Sequence, residues 1–118
     1  MGIFLGRFIR EQASQDLSAT SLSKAVTVPK GVLRKLTEVY VKGTTALNTE
    51  TFSIYKDPGG DTAYRSTLVT NTFDEGEDRY VFRPTGECML FADDVITAVT
   101  GGIISAGTAK VTLEFLEG

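Results

Sequence analysis

The sequence predicts an all-β protein, an antiparallel β-sandwich or jelly roll of about seven or eight strands with an extended or partly helical N-terminal arm. From residue 26 onward, short runs rich in Val, Thr, Ile, Phe and Tyr alternate apolar with polar residues. Turn clusters such as 57–61 (Asp-Pro-Gly-Gly-Asp) and 74–76 (Asp-Glu-Gly) separate these runs. Sixteen threonines among 118 residues add to the prediction, because Thr suits a pleated, half-buried surface.

The first part of the β-domain is predicted to be a short strand, a Pro-Gly turn and a long strand. On the long strand, strict alternation places Val39 and Val41 on one face, and Leu36 and Tyr40 on the other. Apolar residues on both faces predict that this strand is covered on both sides for part of its length. The first three predicted strands are 25–29, 32–42 and 51–56, the last with Phe52 and Ile54 on one face.

The second part of the domain predicts five more strands. The last strand has the clearest period of two, since Ala109, Val111, Leu113 and Phe115 alternate with polar residues. Tyr80 and Phe82 are predicted to point inward from the strand at 79–83. The other predicted strands are 64–73, 87–92 and 95–99.

Residues 1–25 differ in composition from the β-domain at 26–118 and are predicted to form a separate N-terminal arm. Phe4 and Phe8, and Leu5 and Ile9, lie four residues apart and would share a face in a helix, which two glycines weaken. Residues 13–24 are predicted to be an extended linker. Large apolar side chains left in water favour aggregation, so we expect them to dock on a neighbouring subunit or on the chain's own sandwich. The predicted partner-binding residues of the arm are Ile3, Phe4, Leu5, Phe8 and Ile9.

The residue types needed for most catalysis are missing. The chain has no histidine, which excludes Ser-His and Cys-His nucleophile systems within it. Cys88 is the single cysteine, so a usual zinc site and an intrachain disulfide are also excluded. We interpret Cys88 as a small core residue. No catalytic, cofactor-binding or metal-binding residue is predicted, and the protein is not expected to be an enzyme.

Charged residues indicate surface roles only. A net charge of −3 argues against phosphate neutralisation on a nucleic acid, and no apolar stretch is long enough to predict a membrane span or a secretory signal. The turn acids at 57, 61, 93 and 94 are interpreted as solvated. A dense acidic cluster is a second candidate surface, for a basic partner: Asp74, Glu75, Glu77 and Asp78.

The segment 26–31 (Val-Thr-Val-Pro-Lys-Gly), followed by the strand at 33–41, resembles the opening of small β-sandwich virion proteins of tailed bacteriophages. The resemblance implies a structural protein that decorates or cements a capsid, with the arm tying neighbouring copies together. It also implies a homo-oligomer, with a trimer favoured, and other virion proteins such as the major capsid protein as partners. The expected location is the virion, after assembly in the host cytoplasm, and the resemblance carries no catalytic residues.

Two alternatives to capsid decoration remain open from the sequence. One is a structural subunit of a phage head-neck or tail. The other is a carbohydrate- or receptor-binding β-sandwich module. Sugar binding favours exposed aromatic side chains, for which Tyr55 and Tyr64 are the candidates.

Overall fold

The computed structural model describes residues 7–16, 22–47, 50–100 and 107–118, without the side chains of Gln15 and Asp16. These residues form nine β-strands and two short 3-10 helices, and no α-helix occurs among them. The strands form two antiparallel sheets that enclose one core. The predicted all-β sandwich is therefore confirmed.

One sheet has five strands, and the C-terminal strand is one of its two interior strands. Its strands are β1 (Arg7–Asp16), β3 (Arg34–Gly43), β6 (Arg79–Phe82), β7 (Cys88–Leu90) and β9 (Thr108–Glu117). Their order is β1-β9-β3-β6. β7 pairs with β3 on the same side as β6, but with residues 34–36, whereas β6 pairs with residues 39–42.

The second sheet has four strands, in the order β2-β8-β4-β5. Two 3-10 helices, Pro58–Gly60 and Thr62–Tyr64, connect β4 to β5. The strands of this sheet are β2 (Ser23–Thr27), β4 (Thr51–Asp57), β5 (Ser66–Thr72) and β8 (Val95–Thr100).

The core lies between the two sheets and follows the predicted alternation. The inward residues of β9 (Ala109, Val111, Leu113 and Phe115) are buried, as are Phe52 and Ile54 on β4. Tyr80 and Phe82 are partly buried and pack against this core, as predicted. Removing such apolar surface from water is the main favourable term in folding.

A β-bulge in β3 changes which of its side chains face inward. The register with β9 shifts between Leu36 and Glu38, because the strand carries one extra residue there. As a result, Leu36 lies on the buried face together with Val39 and Val41. The strict alternation predicted for this strand, which placed Leu36 on the opposite face, is wrong.

Residues 7–16 belong to the sheet. β1 pairs with β9 along its whole length, from Arg7 opposite Glu117 to Asp16 opposite Thr108. Ile9 and Ala13 pack against the core. The helical alternative for the arm is therefore wrong for residues 7–9, and the linker assignment is wrong for 13–16 and 23–24, which lie in strands. The division of the chain at residue 25 stays a prediction.

Two neighbouring residues of β1 point to opposite sides and provide a matched test of its packing. Ile9→Ser removes an apolar contact with the core, so we expect the free energy of unfolding to fall by about 1–3 kcal/mol. Phe8→Ser changes a side chain that is exposed in the single chain, so at protein concentrations low enough to keep the chain monomeric it should alter this free energy by less than about 0.5 kcal/mol. Urea denaturation of the two variants measures both values. Equal destabilisation by the two substitutions would contradict the observed facing of β1.

Candidate functional site

Four strand ends of the five-stranded sheet meet at one end of the sandwich. Arg34, at the start of β3, pairs with both Leu90 of β7 and Glu117 of β9, and Arg7 of β1 also pairs with Glu117. The Arg34 Nε donates to Glu117 Oε2 at 2.9 Å, and its guanidinium lies 5.6 Å from the centre of the Phe115 ring. This ion pair and ring contact fix the strand ends relative to the core.

The turn from Phe91 to Asp94 joins the two sheets at this same end. The Val28 N–H donates to the Asp94 carbonyl, and the Asp93 N–H donates to the Val28 carbonyl, both at 2.9 Å. The Asp94 carboxylate is only 7% exposed and accepts from the N–H groups of Phe91 at 2.9 Å and Gly59 at 2.8 Å. The interpretation of Asp94 as a solvated turn acid is therefore wrong, since its side chain holds two turns together.

Asp57 is a second buried carboxylate at this end and is also not a solvated acid. It is 4% exposed and accepts from Arg65 Nε at 2.7 Å and Arg65 Nη2 at 2.9 Å. These hydrogen bonds hold the pKa of Asp57 below its usual value of 3.8, against the opposing effect of burial. The Arg65 guanidinium lies 4.6 Å from the centre of the Tyr55 ring, so an internal cation already covers one of the two aromatic candidates.

The same end of the sandwich exposes three aromatic side chains. Tyr64 is 71% exposed, Phe8 62% and Phe91 61%. Phe8 lies near the start of β1, Phe91 directly follows β7, and Tyr64 ends the second 3-10 helix, shortly before β5 begins. We call these three residues the aromatic end. Among the described residues, the remaining exposed large hydrophobic residue is Val81 in β6, at 43%.

The predicted arm residues are placed only in part. Ile3, Phe4 and Leu5 lie outside the described residues. Phe8 points outward, whereas Ile9 packs against the core, so these two do not share a binding face. Phe91 was missed by the sequence analysis, because it was included in the strand predicted at 87–92. The feature of the sequence that could have identified Phe91 as exposed is its position directly before a polar turn.

The acidic cluster lies at the opposite end of the sandwich and is partly used within the chain. Asp78 accepts from Lys42 at 3.1 Å and from Arg79 at 2.9 Å, and these hydrogen bonds lower its pKa to about 2. The Glu77 carboxylate accepts from the N–H of Asp74 at 2.6 Å and closes the loop. Recognition of a basic partner by this cluster stays a prediction.

Cys88 contacts the core and is half-buried. Burial raises the pKa of its thiol, which keeps the sulfur protonated and weakly nucleophilic. Within the described residues, no group of three or more potential metal ligands is found. A search of the same residues for a helix long and apolar enough to cross a membrane found none.

Comparisons with known proteins return a remote likeness. No protein family matches the chain, and no curated protein matches it. Among solved structures, the core of a nucleoplasmin-like protein from Drosophila is similar, with 12% sequence identity, a TM-score of 0.48 and coverage of 90% of this chain and 96% of that one. The description of that structure concerns pentamer formation and histone binding, which are properties of that protein.

The comparisons correct the predicted relationship to tailed-phage virion proteins. The solved structure named above is a histone-binding core and not a virion protein. The predicted role in capsid decoration is therefore wrong, and so is the related role in a head-neck or tail. The predicted virion partners are wrong as well, and the predicted homo-oligomer stays a prediction. The segment at 26–31 has a structural explanation instead: Val28 is buried, and Gly31 has a positive φ of 78° in the turn after Pro29.

The Asp57–Arg65 pair predicts a pH dependence of stability. Since the folded pKa of Asp57 is depressed, the pair stabilises the protein above pH 3.8, and this contribution is lost as the pH falls through the folded pKa. Arg65→Met should therefore be clearly less stable than the wild type at pH 7, and the difference should shrink between about pH 5 and pH 2. Urea denaturation across this range measures it.

Arg83→Met is the control for this experiment. Arg83 is 74% exposed and pairs with Glu38 at 2.9 Å, and exposed pairs contribute little to stability. We expect this variant to stay close to the wild type at every pH. A difference for Arg65→Met that is the same at pH 7 and at low pH would contradict the role of Asp57.

Proposed function

We propose that this chain is a non-enzymatic subunit of a homo-oligomer, and that the aromatic end is its contact surface. The observation that carries the proposal is that three aromatic side chains, those of Phe8, Tyr64 and Phe91, lie at the same end of the sandwich and are each more than 60% exposed. Aromatic residues are enriched at protein interfaces because they bury a large area with few rotatable bonds.

A second copy of the chain is the partner that the N-terminal segment favours. Residues 1–6 precede β1 and so join the sandwich at the aromatic end. They include Ile3, Phe4 and Leu5, and six residues reach at most about 20 Å when extended. Each copy would therefore supply both an apolar segment and an aromatic surface that accepts it, which is the self-complementarity that a homo-oligomer requires.

The architecture around the aromatic end suits a contact surface that must keep its shape. Asp94 ties the Phe91 turn to the Gly59 turn, and the Asp57–Arg65 pair lies next to Tyr64. Rigid surfaces lose less conformational entropy on association. The proposed role is non-enzymatic because the chain has no histidine and the pKa of its one thiol is raised.

Substitutions at the aromatic end test the surface directly. We expect the wild type to be oligomeric. The double variant that carries Phe8→Ser and Phe91→Ser should sediment as a monomer, because both apolar contacts are lost. Val81→Ser is the matched control, since Val81 is exposed on β6, away from this end. Sedimentation velocity at several protein concentrations measures the outcome. A monomeric wild type, or a double variant with unchanged oligomers, would contradict the proposal.

Deletion of residues 1–6 tests the contribution of the N-terminal segment without disturbing β1. We expect the shortened chain to keep the urea midpoint of a folded sandwich but to form weaker oligomers. A longer deletion through residue 24 would remove β1 and the packing of Ile9 and Ala13 against the core. A loss of oligomers in that longer deletion would therefore not distinguish a lost contact surface from a lost fold. Oligomers of unchanged strength after deletion of residues 1–6 would remove Ile3, Phe4 and Leu5 from the contact surface.

A further inference from the structure

A second candidate site lies on the outer face of the five-stranded sheet, far from the aromatic end. Here β1, β9 and β3 run side by side, with Ser14 opposite Lys110 and Lys110 opposite Lys42. The next row along the sheet places Thr112 opposite Tyr40. These side chains line a cavity of about 630 Å³.

The pairing of Lys110 with Lys42 is costly in the free protein. Residues directly opposite each other in antiparallel strands have Cβ atoms about 5 Å apart, and like charges in such positions are destabilising. Lys42 is compensated by Asp78 at 3.1 Å, but Asp78 also binds Arg79, which lies opposite Lys42 on β6. In the part of the chain that the structure describes, Lys110 makes no ion pair. Asp78 is therefore shared by Lys42 and Arg79, and none of the described carboxylates pairs with Lys110.

The cavity also provides hydroxyl groups next to these cations. Ser14, Tyr40 and Thr112 line it together with the two lysines. The hydroxyl of Thr44 is already occupied, since it donates to the Thr108 carbonyl at 3.3 Å and accepts from the N–H of Thr108 at 3.0 Å. Ammonium and hydroxyl donors around one cavity are the groups that bind the oxygens of a phosphate.

We propose that this cavity binds the phosphate group of a small ligand, with Lys42 and Lys110 as its cationic contacts and the hydroxyls of Ser14, Tyr40 and Thr112 as hydrogen-bond donors. Such a ligand removes the repulsion between the two lysines, because the anion lies between them. A local site for a small molecule, rather than a nucleic-acid surface, agrees with a net charge of −3 for the whole chain.

Isothermal titration calorimetry with inorganic phosphate at constant ionic strength, with sodium chloride as the reference salt, tests the proposal. A second arm uses a simple sugar phosphate, and tighter binding there identifies a phosphorylated small molecule as the ligand. Lys110→Gln should weaken binding about tenfold. Lys30→Gln removes an exposed lysine at the other end of the sandwich and should change binding by less than about twofold. Equal losses in the two variants, or no binding of either ligand by the wild type, would overturn the site.

Thermal unfolding separates a binding role of Lys110 from a structural one. Phosphate should raise the Tm of the wild type through mass action on the folded state. Lys110→Gln should have the same or a higher Tm without phosphate, because the repulsion is gone, and should lose the phosphate-dependent rise. A lower Tm for this variant without phosphate, with the rise retained, would overturn the proposal.

Discussion

The structure depends on one constraint, the hydrogen bonding of β9 on both of its sides. β9 pairs with β1 along one edge and with β3 along the other, and its side chains alternate strictly between the core and the outside. Its inward row supplies Val111, Leu113 and Phe115 to the core. Because a one-residue slip would exchange the two faces, the register of β9 determines both what is buried and what the protein presents to partners.

The outward-facing residues of β9 run from the aromatic end to the proposed phosphate site. At one end of the strand, Leu116 lies opposite Phe8, which belongs to the aromatic end. At the other end, Lys110 lies between Ser14 and Lys42 in the proposed phosphate site. The ion pair of Arg10 with Glu114, at 3.0 Å, lies between these regions. The two surfaces are therefore chemically distinct, one apolar and one cationic, and a substitution in one is not expected to alter the other.

Local patterns predicted β9 and the inward faces of β4 and β6, because alternation with a period of two is a property of the segment itself. They did not predict β1, whose partner lies about one hundred residues away in the sequence and whose apolar residues also match a helical spacing. The bulge in β3 could not be read from the sequence either, since the extra residue is defined by the register with β9. Burial of Asp57 and Asp94 was missed because their partners, Arg65 and the N–H of Gly59, become neighbours only in the folded chain. The resemblance at 26–31 failed for a related reason: it describes the end of a strand and a turn, which unrelated sandwiches share.

The central claim is that Phe8, Tyr64 and Phe91 are covered by a second copy of the chain. Hydroxyl-radical footprinting at increasing protein concentration measures the solvent exposure of these side chains directly, with the half-buried Tyr40 on the outer sheet face as an internal reference. We predict that oxidation of the three aromatic residues falls as the oligomer forms, while oxidation of Tyr40 stays constant. Oxidation of all four residues that does not change with concentration would contradict the account.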